Sequence, residues 1–242
     1  MKVALHVAIS GQMVMQNRLD SIAANVANMT TPGYRAEGSK FDALVSRQQP
    51  GPVDFASTGR AYIVRRPGAL KATGNPLDVA LNGDVWMALQ GPDGIVYTRD
   101  GRMRMTPEGA LVSVRGYPVL DVSGSPLMLK PKGGPPRIAR DGMIRQRGRR
   151  IGAIGLFRFG REARLTRFDN SAVIPDREAE PVVEFSRAGV VQGFIEESNV
   201  NGALEMSRLI EATSAFRQLS AALADGERTA LEAIRTLGGT GN

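Results

Sequence analysis

The stretch SGQMVMQNRLDSIAANVANMTTPGYR, residues 10–35, decides the fold at the N-terminal end of the chain. Around it, residues 3–29 carry an alternating 3-4 spacing of the kind that one helix presents to another. Seven of the eight residues in this seam are apolar, and Gln12 is the exception. The seam consists of Leu5, Ala8, Gln12, Met15, Leu19, Ile22, Val26 and Met29. The pattern predicts a helix that ends at Thr30-Thr31-Pro32-Gly33, where proline stops helix propagation and glycine permits a reversed turn.

The other end of the chain carries a second helical pattern, over residues 201–237. Asn201 is a residue type that caps helices, and Glu205 lies near the positive end of the predicted helix. A second 3-4 seam is formed by Leu209, Ala212, Phe216, Leu219 and Leu223. The two seams together predict helices that pair with each other in a coiled-coil-like way.

Between the helices, residues 62–195 consist of short apolar segments separated by turn residues. Asp78–Leu81, the pair Asn82-Gly83 and Asp84–Leu89 predict a β-hairpin with a type I′ turn. Strands this short and closely spaced predict an all-β domain of sandwich or open-barrel type. Residues 36–60 contain QQPGP at 48–52 and are predicted as an extended connector.

The predicted fold class is therefore α+β. The predicted domains are a discontinuous terminal-helix domain for polymerisation (1–35 and 198–242), a connector (36–60) and a β-rich domain (61–197).

Composition removes most kinds of active-site chemistry. The 242 residues contain no cysteine and one histidine, His6, which excludes thiolate and disulfide chemistry and leaves little for histidine to do. The acidic pair Glu196-Glu197 lies on a predicted strand, where adjacent side chains point to opposite faces and cannot share a substrate. We expect no catalysis, no cofactor, no metal and no small-molecule substrate.

The sequence also predicts no membrane insertion, because no run approaches the roughly 20 apolar residues that span a bilayer. Residues 1–10 resemble a signal peptide only faintly, since the apolar stretch is short, contains His6 and lacks a small-residue cleavage site. We therefore expect a route out of the cytoplasm that needs no cleaved signal peptide.

Much of the net charge of +7 is concentrated in one region. Its ten arginines are Arg137, Arg140, Arg145, Arg147, Arg149, Arg150, Arg158, Arg161, Arg164 and Arg167. Such a cluster can neutralise phosphates, which makes a nucleic-acid-binding module an alternative function. A solvated basic loop, or a surface that meets an acidic neighbour, explains the same charges.

Both predicted helices carry apolar residues outside their seams. These residues are Met13, Val14, Ala23, Met206, Ile210 and Leu231. Such surface is normally buried against further neighbours, and head-to-tail contacts that do not close produce a helical filament. A monomer whose terminal helices fold against its own β domain explains the pattern equally well.

Three separated segments resemble one protein family. Residues 10–28 with TTPGYR at 30–35 are similar to a helix signature ending in an Asn-Leu-Ala-Asn-like segment and a Thr-Pro-Gly turn. VQGFIEESNV at 191–200, followed by Glu205-Met206, is similar to a second signature near the C-terminal end, and residues 66–81 and 97–101 resemble a shared central segment. On these motifs the chain resembles the flagellar rod and hook proteins, and most closely the single-domain rod subunits. One departure is Asp84-Val-Trp-Met87, where that family usually has Gly-Phe-Phe.

The resemblance implies a structural subunit of the proximal rod of the bacterial flagellum, with a distal-rod subunit as the alternative. It implies that the terminal helices of many subunits pair in a coiled-coil-like tube domain, through which the protein assembles helically with other copies and with neighbouring rod proteins. It also implies torque transmission, and export through the flagellar type III apparatus to the periplasmic part of the basal body.

Pattern and resemblance together give the expected functional residues. The expected subunit interface comprises Leu5, Met15, Leu19, Ile22, Val26, Met29, Met206, Leu209, Phe216, Leu219 and Leu223. The expected N-terminal turn comprises Asn25, Asn28, Thr31, Pro32, Gly33 and Tyr34. The expected C-terminal motif comprises Gly193, Glu196, Ser198, Asn199, Val200, Glu205 and Met206.

Overall fold

The computed structural model describes residues 2–40, 43–46, 53–56 and 60–238. Contacts divide the chain into two compact units. The terminal unit comprises Met1–Val26, Glu37–Ala61 and Asn201–Asn242, and the β unit comprises Ala27–Ala36 and Tyr62–Val200. The domain boundaries expected from the sequence stay a prediction, and the predicted connector sequence at 48–52 lies outside the described residues.

Two helices and nineteen short strands make up the described chain. Helices α1 and α2 lie at Lys2–Ala27 and Gly202–Gly238. Strands β1 to β10 lie at Glu37–Lys40, Ala43–Ser46, Val53–Ala56, Arg60–Ile63, Leu70–Ala72, Val79–Asn82, Trp86–Gln90, Ile95–Thr98, Met103–Met105 and Leu111–Ser113. Strands β11 to β19 lie at Arg137–Ile138, Met143–Gln146, Arg149–Ala153, Leu156–Arg158, Leu165–Arg167, Ala172–Pro175, Glu180–Pro181, Gly189–Gln192 and Phe194–Glu196. This content confirms the predicted α+β class.

Within the terminal unit, α1 and α2 lie side by side and antiparallel. A Cβ atom at Gly11 of α1 would lie 3.7 Å from Cδ2 of Leu219 in α2. Further along α1, the Asn25 side chain reaches back to Glu205, near the start of α2. The start of α2 is capped as predicted, because the backbone N–H of Leu204 donates to Oδ1 of Asn201 at 3.1 Å.

The centre of the β unit is a six-stranded antiparallel sheet in the order β15-β16-β8-β7-β14-β17. Over the described residues this order does not return on itself, so the sheet is open and no closed barrel forms. Alternate residues of β7 point to opposite faces, and Trp86 through Leu89 are all buried. Both faces are therefore covered, which explains why this strand is continuously apolar instead of alternating.

The two faces of this sheet have different packing. On one face, aliphatic residues such as Met87, Leu89 and Val96 belong to a large buried cluster. On the other face, Trp86 and Tyr97 belong to a smaller, aromatic cluster. This cluster contains Ile63, Trp86, Ala88, Tyr97, Leu120, Phe157, Phe159, Val173 and Ala179.

The unusual Trp86 is accommodated inside the aromatic cluster. Its ring lies 5.4 Å from that of Phe159 with a tilt of 40°, and Phe159 meets Tyr97 edge-on at 5.2 Å. Such offset and edge-on contacts are favourable beyond the area that they bury. Burial, together with the nearby charge of Glu178, raises the pKa of the Tyr97 phenol.

The predicted hairpin around Asn82-Gly83 is wrong. Strand β6 pairs with β18, whereas β7 pairs with β8 and β14, so the Asn-Gly turn joins strands of two different sheets. Gly83 does adopt a left-handed conformation, with φ of 81°. The side chain of Arg99 donates hydrogen bonds to the carbonyls of Leu81, Gly83 and Val85, and these bonds hold the turn as a loop around a guanidinium.

The aromatic cluster should dominate the stability of the β unit. We expect Phe157→Ala to reduce the free energy of unfolding by about 3–5 kcal/mol, because the truncated side chain leaves a cavity in a buried layer. Trp86 is the only tryptophan in the chain, so its fluorescence during urea denaturation reports on this unit directly.

Val183→Ala is the matched control, because the Val183 side chain is 87% exposed and its truncation creates no cavity. Its effect should stay within about 0.5 kcal/mol. Equal losses in the two variants would contradict a stabilising role for the aromatic layer.

Candidate functional site

Residues from both ends of the chain meet inside the terminal unit at Asn25. Its amide Nδ2 donates to the backbone carbonyl of Glu37 at 2.8 Å and to Oε2 of Glu205 at 3.2 Å. Its Oδ1 accepts the backbone N–H of Glu37 at 2.8 Å. Both Asn25 and Glu205 are almost completely buried, and the second oxygen of Glu205 accepts a bond from Arg208 at 2.6 Å. The asparagine of the first motif and the glutamate of the second are thus direct partners.

The seam residues differ in burial. Ile22 and Ala212 are buried, and Leu5 lies within α1. Partly buried positions are Met15, Leu19, Val26, Leu209, Phe216, Leu219 and Leu223. Met29 lies beyond the last residue of α1 and is exposed. The described helix pair therefore covers its seam only in part.

Apolar side chains outside the seam are more exposed still. Ile210 on α2 is 68% exposed, and Met13 on α1 and Met206 on α2 are about half exposed, at 51% and 49%. Ala23 is also exposed, whereas Val14 is partly buried. The terminal unit therefore presents apolar surface on both helices.

A buried cluster of three charges lies within the β unit, where the segments next to both helices meet its central strands. One oxygen of the Glu196 carboxylate lies 2.7 Å from Nη2 of Arg35, and the other oxygen lies 2.6 Å from Nε of Arg99. Both contacts are ion pairs. The backbone N–H of Gly68 donates to the first oxygen at 2.8 Å. All three charged side chains are at most 2% exposed. One anion thus joins the turn after α1, the end of β8 and the last strand before α2.

Each arginine of this cluster also satisfies backbone carbonyls. Arg35 donates to the carbonyl of Arg66, and Arg99 binds the carbonyls of the loop at Gly83. The guanidinium carbon of Arg99 also lies 5.9 Å from the centre of the Trp86 ring. Because removal from water is costly for an ion, this dense bonding is needed for the cluster to be stable.

The cluster contains two cations and one anion, and this imbalance affects the pKa of Arg35. Burial and the nearby charge of Arg99 lower the pKa of Arg35, Glu196 and Asp84 oppose the change, and the resulting pKa is about 10. Since about 10 is still well above neutrality, Arg35 stays charged at physiological pH. Its Nε atom is buried without a hydrogen-bond partner among the described residues.

Asn199 joins the incoming and outgoing chain a short distance from the charge cluster. Its Oδ1 accepts the backbone N–H of Ala36 at 2.7 Å, and its Nδ2 donates to the carbonyls of Val64 at 3.0 Å and Arg66 at 2.7 Å. The backbone of Ala36 also accepts a bond from the N–H of Val64 at 2.8 Å. This amide fixes the course of three chain segments at once.

The turn that follows α1 is closed by successive backbone hydrogen bonds. The N–H of Thr31 donates to the carbonyl of Asn28 at 3.1 Å, and that of Tyr34 donates to the carbonyl of Thr31 at 3.2 Å. Pro32 lies between them and is partly buried. The Tyr34 ring is fully buried, with the guanidinium of Arg167 stacked 4.2 Å from its centre.

Gly33 is required by both backbone conformation and space. Its φ is 71°, and its N–H donates to the carbonyl of Glu196 at 2.8 Å. A Cβ atom at this position would lie 2.2 Å from the backbone nitrogen of Asp100. The turn therefore packs directly against the end of β8, with no space for a side chain.

The remaining residues of the C-terminal motif shape the backbone. Gly193, with φ of 79°, lies between β18 and β19, where the chain leaves its pairing with β6 and begins to pair with β5. The Ser198 hydroxyl accepts the N–H of Val200 at 3.3 Å. The structure thus places Gly193, Glu196, Ser198, Asn199 and Val200 along one segment that leads to α2.

Arg35 and Arg99 are the functional residues that sequence reasoning missed. Both lie inside the quoted motifs, but neither was singled out, because an arginine in a turn is normally solvated. A usable signal was present in the sequence, where Arg99 lies shortly after the apolar residues Ile95, Val96 and Tyr97.

Over the described residues, neither helix has the length and hydropathy needed to cross a membrane. The described residues also contain no group of three or more acidic or histidine side chains arranged to hold a metal ion.

Comparison with known proteins assigns these motifs to a protein family. Residues 5–35 match the family described as "Flagella basal body rod protein", and residues 191–234 match "Flagellar basal body rod FlgEFG protein C-terminal". Residues 80–192 match "Flagellar hook protein FlgE/F/G D1 domain". This chain belongs to the flagellar basal-body rod protein family.

Individual relatives narrow the class further. The flagellar basal-body rod protein FlgF of Mesorhizobium japonicum is 46% identical over 238 residues, covering 98% of this chain and 99% of the relative. FlgF of Rhizobium meliloti is 42% identical over 240 residues, covering 99% and 100%. The rod protein FlgG of Buchnera aphidicola is 31% identical over 242 residues, covering 88% and 91%. The resemblance to the FlgF type is therefore the stronger one, and the chain is a structural rod subunit of that type.

Glu196 should be among the most sensitive positions of the β unit. We expect Glu196→Gln to reduce the free energy of unfolding by about 3–5 kcal/mol, because two buried guanidinium groups lose their shared anion. Urea denaturation followed by Trp86 fluorescence measures the change. The neighbouring Glu197→Gln is the control, since Glu197 is 49% exposed and its ion pair with Lys71 is long, at 3.7 Å. A mild effect of Glu196→Gln, equal to that of the control, would contradict the role of the cluster.

Gly33 and Gly74 separate steric exclusion from backbone strain, because both have φ of 71°. A Cβ at Gly74 meets no atom within 4 Å, whereas one at Gly33 overlaps the backbone of Asp100. We expect Gly74→Ala to cost only the left-handed strain of about 1–2 kcal/mol, and Gly33→Ala to cost clearly more. The thermal unfolding midpoints of the two variants give the comparison. Equal midpoints would show that the turn does not pack as closely as described.

Proposed function

We propose that this rod subunit polymerises through the apolar surface of its two terminal helices, and that the coiled-coil-like pairing of α1 and α2 extends to neighbouring subunits as a tube. The observation that carries the proposal is the exposure of Ile210, Met206 and Met13 on the described helix pair. Polar solvent is a poor environment for three large apolar side chains on a narrow unit, and burial against further helices removes them from water.

The energies are of the size that assembly needs. Burying a Leu-, Ile- or Met-sized side chain contributes roughly 1.5–3 kcal/mol. Association costs about 4–15 kcal/mol in lost freedom and side-chain ordering. The three most exposed side chains contribute at most about 4.5–9 kcal/mol, which offsets only the lower part of that range, so we propose that the partly buried seam positions contribute as well. These positions include Met15, Leu19, Phe216, Leu219 and Leu223.

We propose that the charge cluster of the β unit fixes how the chain enters and leaves that unit. Glu196 and Asn199 hold the segment after α1 against the segment before α2, through bonds of 2.7 Å from Arg35 to Glu196 and from Ala36 to Asn199. A subunit that transmits torque has to resist shear where its polymerising ends are attached. Short, buried, charge-assisted bonds are suited to that task.

The wider setting is also proposed on the family resemblance. Assembly with other rod subunits is common to rod proteins. Export through the flagellar type III apparatus without a cleaved signal peptide, assembly in the periplasm and a place in the proximal rod complete the proposal.

The proposal is tested with an exposed residue, so that assembly and folding can be separated. We expect Ile210→Asp to abolish rod assembly and swimming while leaving the thermal unfolding of the monomer unchanged, because the side chain is 68% exposed before assembly. Electron microscopy of basal bodies and a motility assay give the two readouts.

Ala222→Asp is the control, since Ala222 is exposed and lies about 120° round α2 from Ile210. Swimming should be retained in this variant. Normal swimming with Ile210→Asp would refute assembly through this surface.

A further inference from the structure

The hairpin formed by β12 and β13 concentrates the positive charge of the β unit. Arg145, Arg147, Arg149 and Arg150 are all exposed, and residues 143–153 contain no acidic residue. The neighbouring strand β11 adds the exposed Arg137. Five guanidinium groups therefore share one small, three-stranded sheet.

Three of these arginines form a row across the sheet, here called the arginine row. Arg137 lies opposite Arg145, and Arg145 lies opposite Arg150. Ile138 and Ile144, the adjacent residues, are buried in the aliphatic cluster, so the arginines lie on the outer face. Like charges directly opposite each other destabilise a strand pair. The row is unfavourable in an isolated subunit.

No intramolecular anion relieves this repulsion in the part of the chain that the structure describes. The ion pairs there involve other arginines, and Arg137, Arg145 and Arg150 have no carboxylate within 4.0 Å. Arg140 is occupied differently, by a hydrogen bond to the carbonyl of Ser186 at 2.7 Å. The row is thus available to an external anion.

The hairpin presents these charges rigidly. Arg147 and Gly148 form its turn with φ of 46° and 78°, and Arg147 is the only non-glycine residue with a positive φ in the described chain. The buried side chain of Gln146 ties the hairpin to the preceding loop. Its Oε1 accepts a hydrogen bond from the backbone N–H of Lys130 at 2.8 Å, and its Nε2 donates to the carbonyl of Gly134 at 2.9 Å. A basic side chain thus occupies a turn position that favours asparagine or glycine.

The β unit carries a complementary surface at another place, here called the acidic edge. Glu178, Glu180 and Glu184 are exposed and have no cation within ion-pair distance among the described residues. Glu180 belongs to β17, the outer strand of the six-stranded sheet, and lies opposite Arg158. Between these carboxylates lies Val183, which is 87% exposed.

We propose that the arginine row of one subunit docks on the acidic edge of a second copy of this chain. Guanidinium groups bind carboxylates in a planar, two-bond geometry, which suits a row of arginines against a group of exposed glutamates. The two surfaces are different parts of the β unit, so the contact is heterologous and leads from copy to copy. It is separate from the contact made by the terminal helices.

A second copy is favoured over a nucleic acid by the composition of the basic surface. Residues 137–153 contain no aromatic residue on which a base could stack, and the phenylalanines nearest in sequence, Phe157 and Phe159, are buried in the aromatic cluster. A matching acidic surface, in contrast, is present on the chain itself.

The test exchanges the charges of the two surfaces in the full-length chain. One variant carries Arg145→Glu and Arg150→Glu, and the other carries Glu178→Arg and Glu180→Arg. Sedimentation velocity at about 0.02 M and about 0.5 M salt measures self-association, since exposed ion pairs are screened at high salt. Each variant alone should associate about tenfold or more weakly than the natural chain at low salt.

An equimolar mixture of the two variants is the decisive sample. In mixed pairs both kinds of contact again join opposite charges, so association should return to the level of the natural chain. The terminal helices are the same in every sample, so a difference between samples is not caused by them. The control is Arg104→Glu with Arg161→Glu, which makes the same change in net charge at exposed arginines away from the row and should leave association unchanged.

Three results would overturn the proposal. The first is a mixture that associates no better than its components. The second is a control that weakens association as much as reversal of the row. The third is reversal of the row that leaves self-association intact but removes binding to a short DNA duplex or to phosphatidylglycerol vesicles, which would assign the row to a different anion. Thermal unfolding of each variant confirms that it is folded.

Discussion

One buried carboxylate, that of Glu196, joins the segments of the β unit that adjoin the two helices. Glu196 is buried between two guanidinium groups, and each group also binds the carbonyls of a separate loop. A charge in this environment is stable only when every partner is in place, so the positions of the turn after α1, the loop at Gly83 and strand β19 depend on one another. Gly33 lies beside this cluster, where its N–H donates to the backbone carbonyl of Glu196 and a Cβ atom would overlap the backbone of Asp100.

The elements that sequence reasoning predicted well are those with local causes. The 3-4 seams predicted both helices because helical periodicity is a property of neighbouring residues, and Asn201 predicted the start of α2 by its own hydrogen bond. The strands were predicted as short and numerous because turn residues punctuate the sequence. The predicted hairpin at Asn82-Gly83 was wrong because the two residues indicate a turn but do not indicate which strands pair. The pairing depends on Arg99 and on the distant strand β18.

The functional residues also divide into those that the sequence indicated and those that it did not. Asn25, Gly33, Glu196 and Asn199 could be named from motifs, but what they do could not, since their partners lie far along the chain. Arg35 and Arg99 were missed because the sequence does not distinguish a buried arginine from a solvated one. The distinction requires the position of the anionic partner, here Glu196. The expected tube interface stays a prediction, although the exposed Ile210 and Met206 give it a surface.

The wide spacing of these partners along the chain affects the order in which the molecule can fold. Ala36 and Asn199 are 163 residues apart, and Arg99 and Glu196 are 97 apart. A polypeptide that emerges from its N-terminus first cannot neutralise Arg35 or Arg99 until nearly the whole β-rich sequence has appeared. Contacts of such high sequence separation carry a large loop-closure cost and slow folding. The β unit can therefore complete its buried charge cluster only after strand β19 has been synthesised, so its folding is a late event in the life of the chain.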